Sequence, residues 1–570
     1  MPSKLYSVTA KDYGLGLDAS SGPENLAPGA LTVAEDVRYS RTGGVRTRLG
    51  FEEKANLSTS VKIDTMEPIE GVNVAFLKSG TTIQQSTDTV TWYDIGLTQT
   101  STERTFFYPI EKDMFATNLT DSYVQIVVSS AGVAVGASDT EITVRTGDIG
   151  KFSTSGTIYI EGDSIAYSGK TSTQLTGVTG LASAHPINSV ITQTTTPSGA
   201  PKGSCISDLE GSTLVGGQSS AKNVIHFSAP VTSDDPQFSF DFSANGAGAK
   251  AMPSDVTALK KGTSIVLIGM QRGISYATGF QLDDNALLTN SVTENHGVPN
   301  AFCIDNMEEL FAVFTGKRIL LIANDRDGVR IIDNDGVPFD YPVRSFLEQA
   351  DEDQSLSWLH FDSRCRELHV SVLVNGISKI FVYSLDTGNW SVDTGRPFAC
   401  AMNFKGRMYA GSDNDDQIFI VDELTTDDLI PIRHRIVTHI YTLDDKRYSS
   451  DYLKFTFGGL LSGAGEFTMR VLVNGSQVIE EDITATDLVG AGLMSLTTGV
   501  PLGSGTVGPE TIGSSGTTVD AYQFTYPYEM LFTGHFIQFE FEIFSEGTAF
   551  ELRDSRLDAE TSETLELHSQ

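Results

Sequence analysis

Short runs of alternating apolar and polar residues dominate this chain, separated by clusters of Gly, Asn, Asp and Ser. That is the pattern of half-buried strands joined by tight turns. Stripes at helical spacing occur only as fragments, at 307–314 and 343–350. The β-branched and aromatic content of the runs adds to the same conclusion, an all-β protein.

The runs are grouped. Between 200 and 425, hairpin-like pairs recur: 212–217 with 224–227, 264–269 with 273–278, 310–315 with 318–323, 367–373 with 379–384, and 401–404, 407–411 and 417–422. Their spacing of roughly 45 residues is the period of a β-propeller blade. A β-sandwich shows the same alternation but has no reason for a fixed period. The strongest local signal is the hairpin turning at Asn375-Gly376, followed by the turn Asp386-Thr387-Gly388 and then Trp390, a side chain expected to pack between blades. Runs at 71–77, 89–95, 104–110, 114–117 and 123–128 extend the propeller, which is read over 59–130 and 197–430. Residues 131–196 are Gly-, Ser- and Thr-rich, with short strands at 141–144, 157–161, 164–168 and 174–176. They read as a small β-module inserted in the propeller. From 431 to 558, runs at 466–473 and 477–483 around Asn474-Gly475, at 535–544 and at 549–557 predict a C-terminal β-sandwich-like domain with a long loop at 487–519. Residues 1–58 read as an N-terminal arm and 559–570 as an acidic tail.

Composition narrows the function classes. The 570 residues carry 73 Asp and Glu against 39 Lys and Arg, a formal charge of -34. This argues against a general nucleic-acid binder, which needs clustered cations. It suits a surface that nucleic acid passes without adhering. Cys205, Cys303, Cys365 and Cys400 have no metal-like spacing and are expected as reduced, structural thiols. No apolar run reaches about 18 residues and the N-terminus has no signal-peptide core, so neither a membrane span nor the usual secretion route is expected.

No catalytic constellation stands out: there is no G-x-S-x-G elbow, Walker loop or H-E-x-x-H. His434 and His439 are expected on opposite faces of extended chain, as core or surface residues, and His185 as a hydrogen-bonded turn residue. The acidic stretches 324–328, 333–336 and 413–416 lack the distal Glu of a calcium loop and read as turns. The expectation is no enzyme, no cofactor and no metal.

One stretch stands apart, residues 25–51. It predicts two short extended segments joined by tight turns, with Gly43 and Gly44 able to take positive φ. It also gathers Arg38, Arg41, Arg46 and Arg48 against only Glu35 and Asp36. The run Asn25-Leu26-x-Pro28-Gly29-x-Leu31, then Ala34-x-Asp36-Val37-Arg38, then Gly43-Gly44-Val45-Arg46-x-Arg48-x-Gly50-Phe51 resembles the N-terminal signature of short-tailed bacteriophage (podovirus) tail-nozzle proteins, also called tail tubular or packaged-DNA stabilisation proteins. The insert, with Ser155-Gly-Thr-Ile-Tyr-Ile160, Ile165, Tyr167, Gly169-Lys170, Leu175-Thr-Gly-Val-Thr-Gly180 and Ala184-His185, resembles a small module found in many phage tail and fibre proteins. The order of arm, propeller with insert and C-terminal β-domain is similar to the nozzle across nearly the whole chain.

The resemblance implies a structural virion protein of the viral tail. It would form a six-fold ring, a homohexamer, below the head–tail adaptor of the head–tail connector. It would retain packaged DNA and conduct it during DNA ejection, without sequence-specific binding. Its partners would be the adaptor, further copies of itself and tail fibres or spikes. Arg38, Arg41, Arg46 and Arg48 are the residues expected to serve subunit or adaptor docking, through forked guanidinium–carboxylate pairs. The alternative is a tail receptor-binding or polysaccharide-processing protein, which would need paired carboxylates in an aromatic-lined cleft. Three Trp residues supply a sugar-stacking platform poorly.

Overall fold

The computed structural model describes residues 4–561, apart from 231–239, 485–521 and shorter gaps of one to five residues. The predicted loop at 487–519 lies outside the described residues, as do parts of the acidic turns at 326–327 and 334–335.

The chain is all-β. Among the described residues, seven groups of four antiparallel strands follow one another: sheet I (63–98), sheet II (106–130 with Val190–Thr195), sheet III (205–251), sheet IV (256–293), sheet V (304–332), sheet VI (358–393) and sheet VII (398–421 with Phe51–Asn56). The first strand of each sheet packs against the first strand of the next. Phe398–Phe404, which opens sheet VII, returns to Ile63–Ile69, which opens sheet I. Apolar side chains fill the spaces between neighbouring sheets: Phe107, Met114 and Phe76 between I and II, Cys205, Leu214 and Ile268 between III and IV, and Phe51, Trp358 and Phe398 between VI and VII.

Each unit therefore has more strands than its alternation reveals. The opening strand Cys205–Leu209 is buried at every position, so it carries no apolar–polar period. Closing strands such as Gly248–Ala251 are short and small. Trp390 is buried, as expected, but it packs on Phe339 in the connection between sheets V and VI, where its Nε1–H donates to the Phe339 carbonyl at 3.3 Å.

The inserted module has its own core of Ile142, Ile158, Ile165 and Leu175. Its boundary differs from the expected 131–196. Val190–Thr195 pairs with Val124–Ser130 along six residues and is the fourth strand of sheet II. The hairpin Gly156–Ile160 and Asp163–Tyr167 then extends that sheet outward. His185 is a bonded turn residue, its ring nitrogens 3.2 Å from Glu161 Oε2 and 3.0 Å from Asp163 Oδ2.

The N-terminal 58 residues form no unit of their own. Phe51–Asn56 completes sheet VII. Lys4–Ala10 and Val45–Thr47 pair with Ala549–Thr561 in one sheet of the C-terminal region. Ala30–Glu35 joins Ile430–Thr438 in the other and touches sheet VI at Glu35–Val392. The two C-terminal sheets share a core in which Phe550 lies 5.2 Å, ring to ring, from Phe467. The predicted acidic tail begins later than 559, because Ala559–Thr561 pair with Lys4–Tyr6.

Candidate functional site

The signature run folds as its glycines and Asp36 require. Val37–Tyr39 and Val45–Thr47 pair antiparallel, with Arg38 opposite Arg46. Gly43 turns between them at φ 83, as expected. Gly44 does not take positive φ; it is small because Glu551 closes over it. Gly50 lies so near the Thr426 carbonyl that a Cβ would collide with it. Asp36 has φ 57, a left-handed conformation that Asp tolerates better than most side chains. There the chain leaves the Ala30–Glu35 strand and crosses to the other C-terminal sheet.

That crossing brings buried charge together. Arg38 forks onto Asp393, with Nη1–Oδ1 at 2.7 Å and Nη2–Oδ2 at 2.8 Å, and its Nε donates to Glu367 at 2.9 Å. Arg48 forks onto Asp427 at 2.8 and 2.6 Å, and its Nε donates to Asp36 at 2.8 Å. Arg396 reaches Asp393 at 3.0 Å and Asp422 at 3.1 Å. Together these pairs tie the N-terminal run to sheet VI, sheet VII and the hairpin that leads into the C-terminal domain. Burial alone would raise the Asp393 carboxyl, but Arg38 and Arg396 hold it well below the usual carboxylate range. Burial pushes Glu367 up to about 7, against the pull of Arg38. It pushes His369 down to about 3, with Arg38 and Arg396 adding to the effect. His434, whose Nδ1–H donates to the Asp36 carbonyl, is lowered to about 4, chiefly by burial.

This corrects part of the docking expectation. Arg38 and Arg48 are 7% and 2% exposed and are consumed by carboxylates of their own chain, so neither can reach a partner. Arg41 and Arg46 remain on the surface. Arg41 pairs with Asp386, and Arg46 makes no ion pair among the described residues.

A second polar place lies where the opening strands converge. A cavity of about 900 Å³ is walled by residues of sheets I, II, IV, V, VI and VII. Lys260 Nζ sits 2.6 Å from Asp305 Oδ1. Asp305 Oδ2 accepts the Phe361 N–H at 3.0 Å and lies 3.5 Å from His360 Nδ1. His360 Nε2 is buried and has no hydrogen-bond partner. Burial raises Glu67 to about 7, opposed by Lys260 and reinforced by Asp305. Arg104 stacks over Phe302 at 3.7 Å and donates to the carbonyls of Asp64, Ser357 and Ala399, which joins sheets I, VI and VII at the wall. Sequence reading singled out none of these residues. Glu67, Lys260, Asp305 and His360 come from four different repeats, and no spacing links them.

His434 and His439 are both buried. Cys205, Cys303 and Cys400 are buried free thiols and Cys365 is half-buried. Asp415 Oδ1 accepts the Gln417 N–H at 3.3 Å, a turn-type contact, while Asp416 Oδ2 accepts the distant Ser60 N–H at 2.9 Å. No helix among the described residues is long and apolar enough to cross a membrane. No protein-family model and no curated protein matches the chain.

Proposed function

We propose that this chain is a structural protein of a short phage tail, a nozzle subunit that rings the DNA path below the head–tail adaptor. The observation that carries the reading is the signature run at 25–51, whose Gly44, Gly50, Asp36 and two of four arginines are each used to join the N-terminal run to the rest of the chain. A segment with that duty has reason to hold its motif. The finer architecture belongs to the same reading: the seven sheets are the blades of one β-propeller, closed by the N-terminal strand Phe51–Asn56, with a β-sandwich after it.

The mechanism is physical. A ring of chains at -34 each presents carboxylates to a phosphate backbone. Screening confines the repulsion to about 8–10 Å at physiological salt, so the wall prevents adhesion without stopping passage. Retention before infection is then steric. Arg41 and Arg46, still exposed, are the docking cations for a neighbouring subunit or the adaptor. The chain acts in the virion tail and catalyses nothing.

The polysaccharide-processing alternative draws on the central cavity and the raised Glu67. Asp305 is paired with Lys260, Glu308 with Arg366 and Asp325 with Arg330, and hydrolysis of a glycoside needs two carboxyls acting together across the bond. Cryo-electron microscopy of intact virions tests the proposal. A closed ring of this chain around the DNA channel is expected. Density only in peripheral fibres, or none in the virion, overturns it.

A further inference from the structure

Three side chains converge beside the buried arginines. Asp362 ends the opening strand of sheet VI, Cys365 lies in the turn that follows, and Asp422 follows the Gln417–Val421 strand of sheet VII. One ligand atom from each lies within 4.8 Å of the other two. Their elements are separate in sequence, so the grouping is made by the packing of sheet VII on sheet VI.

An independent observation points to a missing partner. Asp362 is 1% exposed. Its Oδ1 accepts the Arg364 N–H at 2.9 Å, but its Oδ2 is buried without any hydrogen bond. A buried carboxylate oxygen left bare is costly, and a cation satisfies it. The surrounding charge agrees. Asp36, Asp362, Glu367, Asp393, Asp422 and Asp427 face Arg38, Arg48, Arg364 and Arg396. These carboxylates outnumber the guanidinium groups, which favours a cation at the site.

We propose that Asp362, Cys365 and Asp422 bind a divalent transition-metal ion of the zinc type, which locks sheet VII to sheet VI. The donor set chooses the metal. Magnesium and calcium take oxygen ligands and avoid sulfur, whereas zinc accepts a thiolate with carboxylates in a four-coordinate site. Asp422 gives one oxygen to Arg396 and keeps the other for the ion. On binding, the Cys365 thiol releases its proton to solvent and forms a metal–sulfur bond, with no change of oxidation state. Arg364, whose side chain is 35% exposed, borders the thiol and can turn outward. The inference does not depend on the tail reading.

The test uses the full chain, stripped with a chelator and titrated with Co²⁺. One equivalent is expected to bind with a thiolate-to-cobalt charge-transfer band in the near ultraviolet. Zn²⁺ should displace it, and Cys365→Ser should abolish the band. Absence of the band, or its persistence in Cys365→Ser, overturns the proposal. A second measurement needs no variant: alkylation of Cys365 by iodoacetamide, followed by peptide mass spectrometry. Zn²⁺ should slow it by at least about tenfold while Mg²⁺ does not. Equal rates with and without Zn²⁺ also overturn the proposal.

Discussion

The seam around Arg38 and Arg48 and the cavity around Glu67 are both polar places walled by protein, and they handle charge in opposite ways. In the seam, Arg38 and Arg48 each meet two carboxylates and each forks onto one of them. No space is left. In the cavity the Lys260–Asp305 ion pair stands beside a carboxyl that burial raises to about 7 and a histidine nitrogen with no partner. About 900 Å³ is left open. The seam has the form of a structural joint. The cavity keeps unspent polar groups around a space where several sheets converge, the usual form of a place where something small and polar can enter.

The comparison can be broken most forcefully at Arg48. Arg48→Met leaves Asp36 and Asp427 buried without their cation, and loss of one partner of a buried pair costs about 3–5 kcal/mol. Chemical denaturation at pH 7 measures it. A loss near zero would mean that the seam carbonyls and water replace the guanidinium, and that it is no joint.

One group from each place should respond to pH with opposite sign. His434 has a folded pKa of about 4 against an ordinary 6.5. Its neutral form is favoured by folding, so its contribution is present above 6.5 and is lost as pH falls toward 4. The wild type should lose about 2–3 kcal/mol from this group between pH 7 and 4.5. His434→Gln should remove that part of the slope in urea titrations at the two pH values. Glu67 runs the other way. Its folded pKa of about 7 lies above the ordinary 4.5, so its contribution is present below 4.5 and is lost as pH rises through 7. Glu67→Gln should be more stable than wild type by about 1–2 kcal/mol at pH 9, after allowing for water in the cavity, and equal to it at pH 4. Equal stability at both pH values would show that the Glu67 carboxylate is solvated, and the cavity would then be ordinary solvent space.

The smallest expected effect on folding sharpens the division within the arginines themselves. Arg41→Ala with Arg46→Ala should leave the denaturation midpoint unchanged, because both side chains are on the surface. If they dock a neighbour, the same double variant should fail to incorporate into virion tails in a complementation assay. Normal incorporation would remove the last of the proposed docking residues.

Much of the fold could be read from local pattern. The hairpins at 310–323 and 367–384 were placed within a residue or two, because alternation and Asn375-Gly376 turn chemistry are local properties. The opening strand Cys205–Leu209 is not legible, since a strand buried on both faces has no period. Val190–Thr195 was assigned to the insert because its polar composition matches the insert and only its pairing with Val124–Ser130 reveals the sheet it belongs to. The run at 25–51 was legible as a motif, but the fate of its arginines was not. Their carboxylate partners Glu367, Asp393 and Asp427 lie 329, 355 and 379 residues away.

By itself the sequence determined the strand class, the approximate repeat, the presence of an insert and the glycines of the signature run, all of which depend on neighbours a few residues apart. Tertiary structure alone decided which arginines are buried, how the N-terminal residues are shared among three sheets, where Glu67 meets Lys260, and that Asp362, Cys365 and Asp422 stand together. Charge pairing and cavity shape depend on distances in space. In a chain with 73 acidic residues, every arginine has too many possible partners for sequence separation to choose among them.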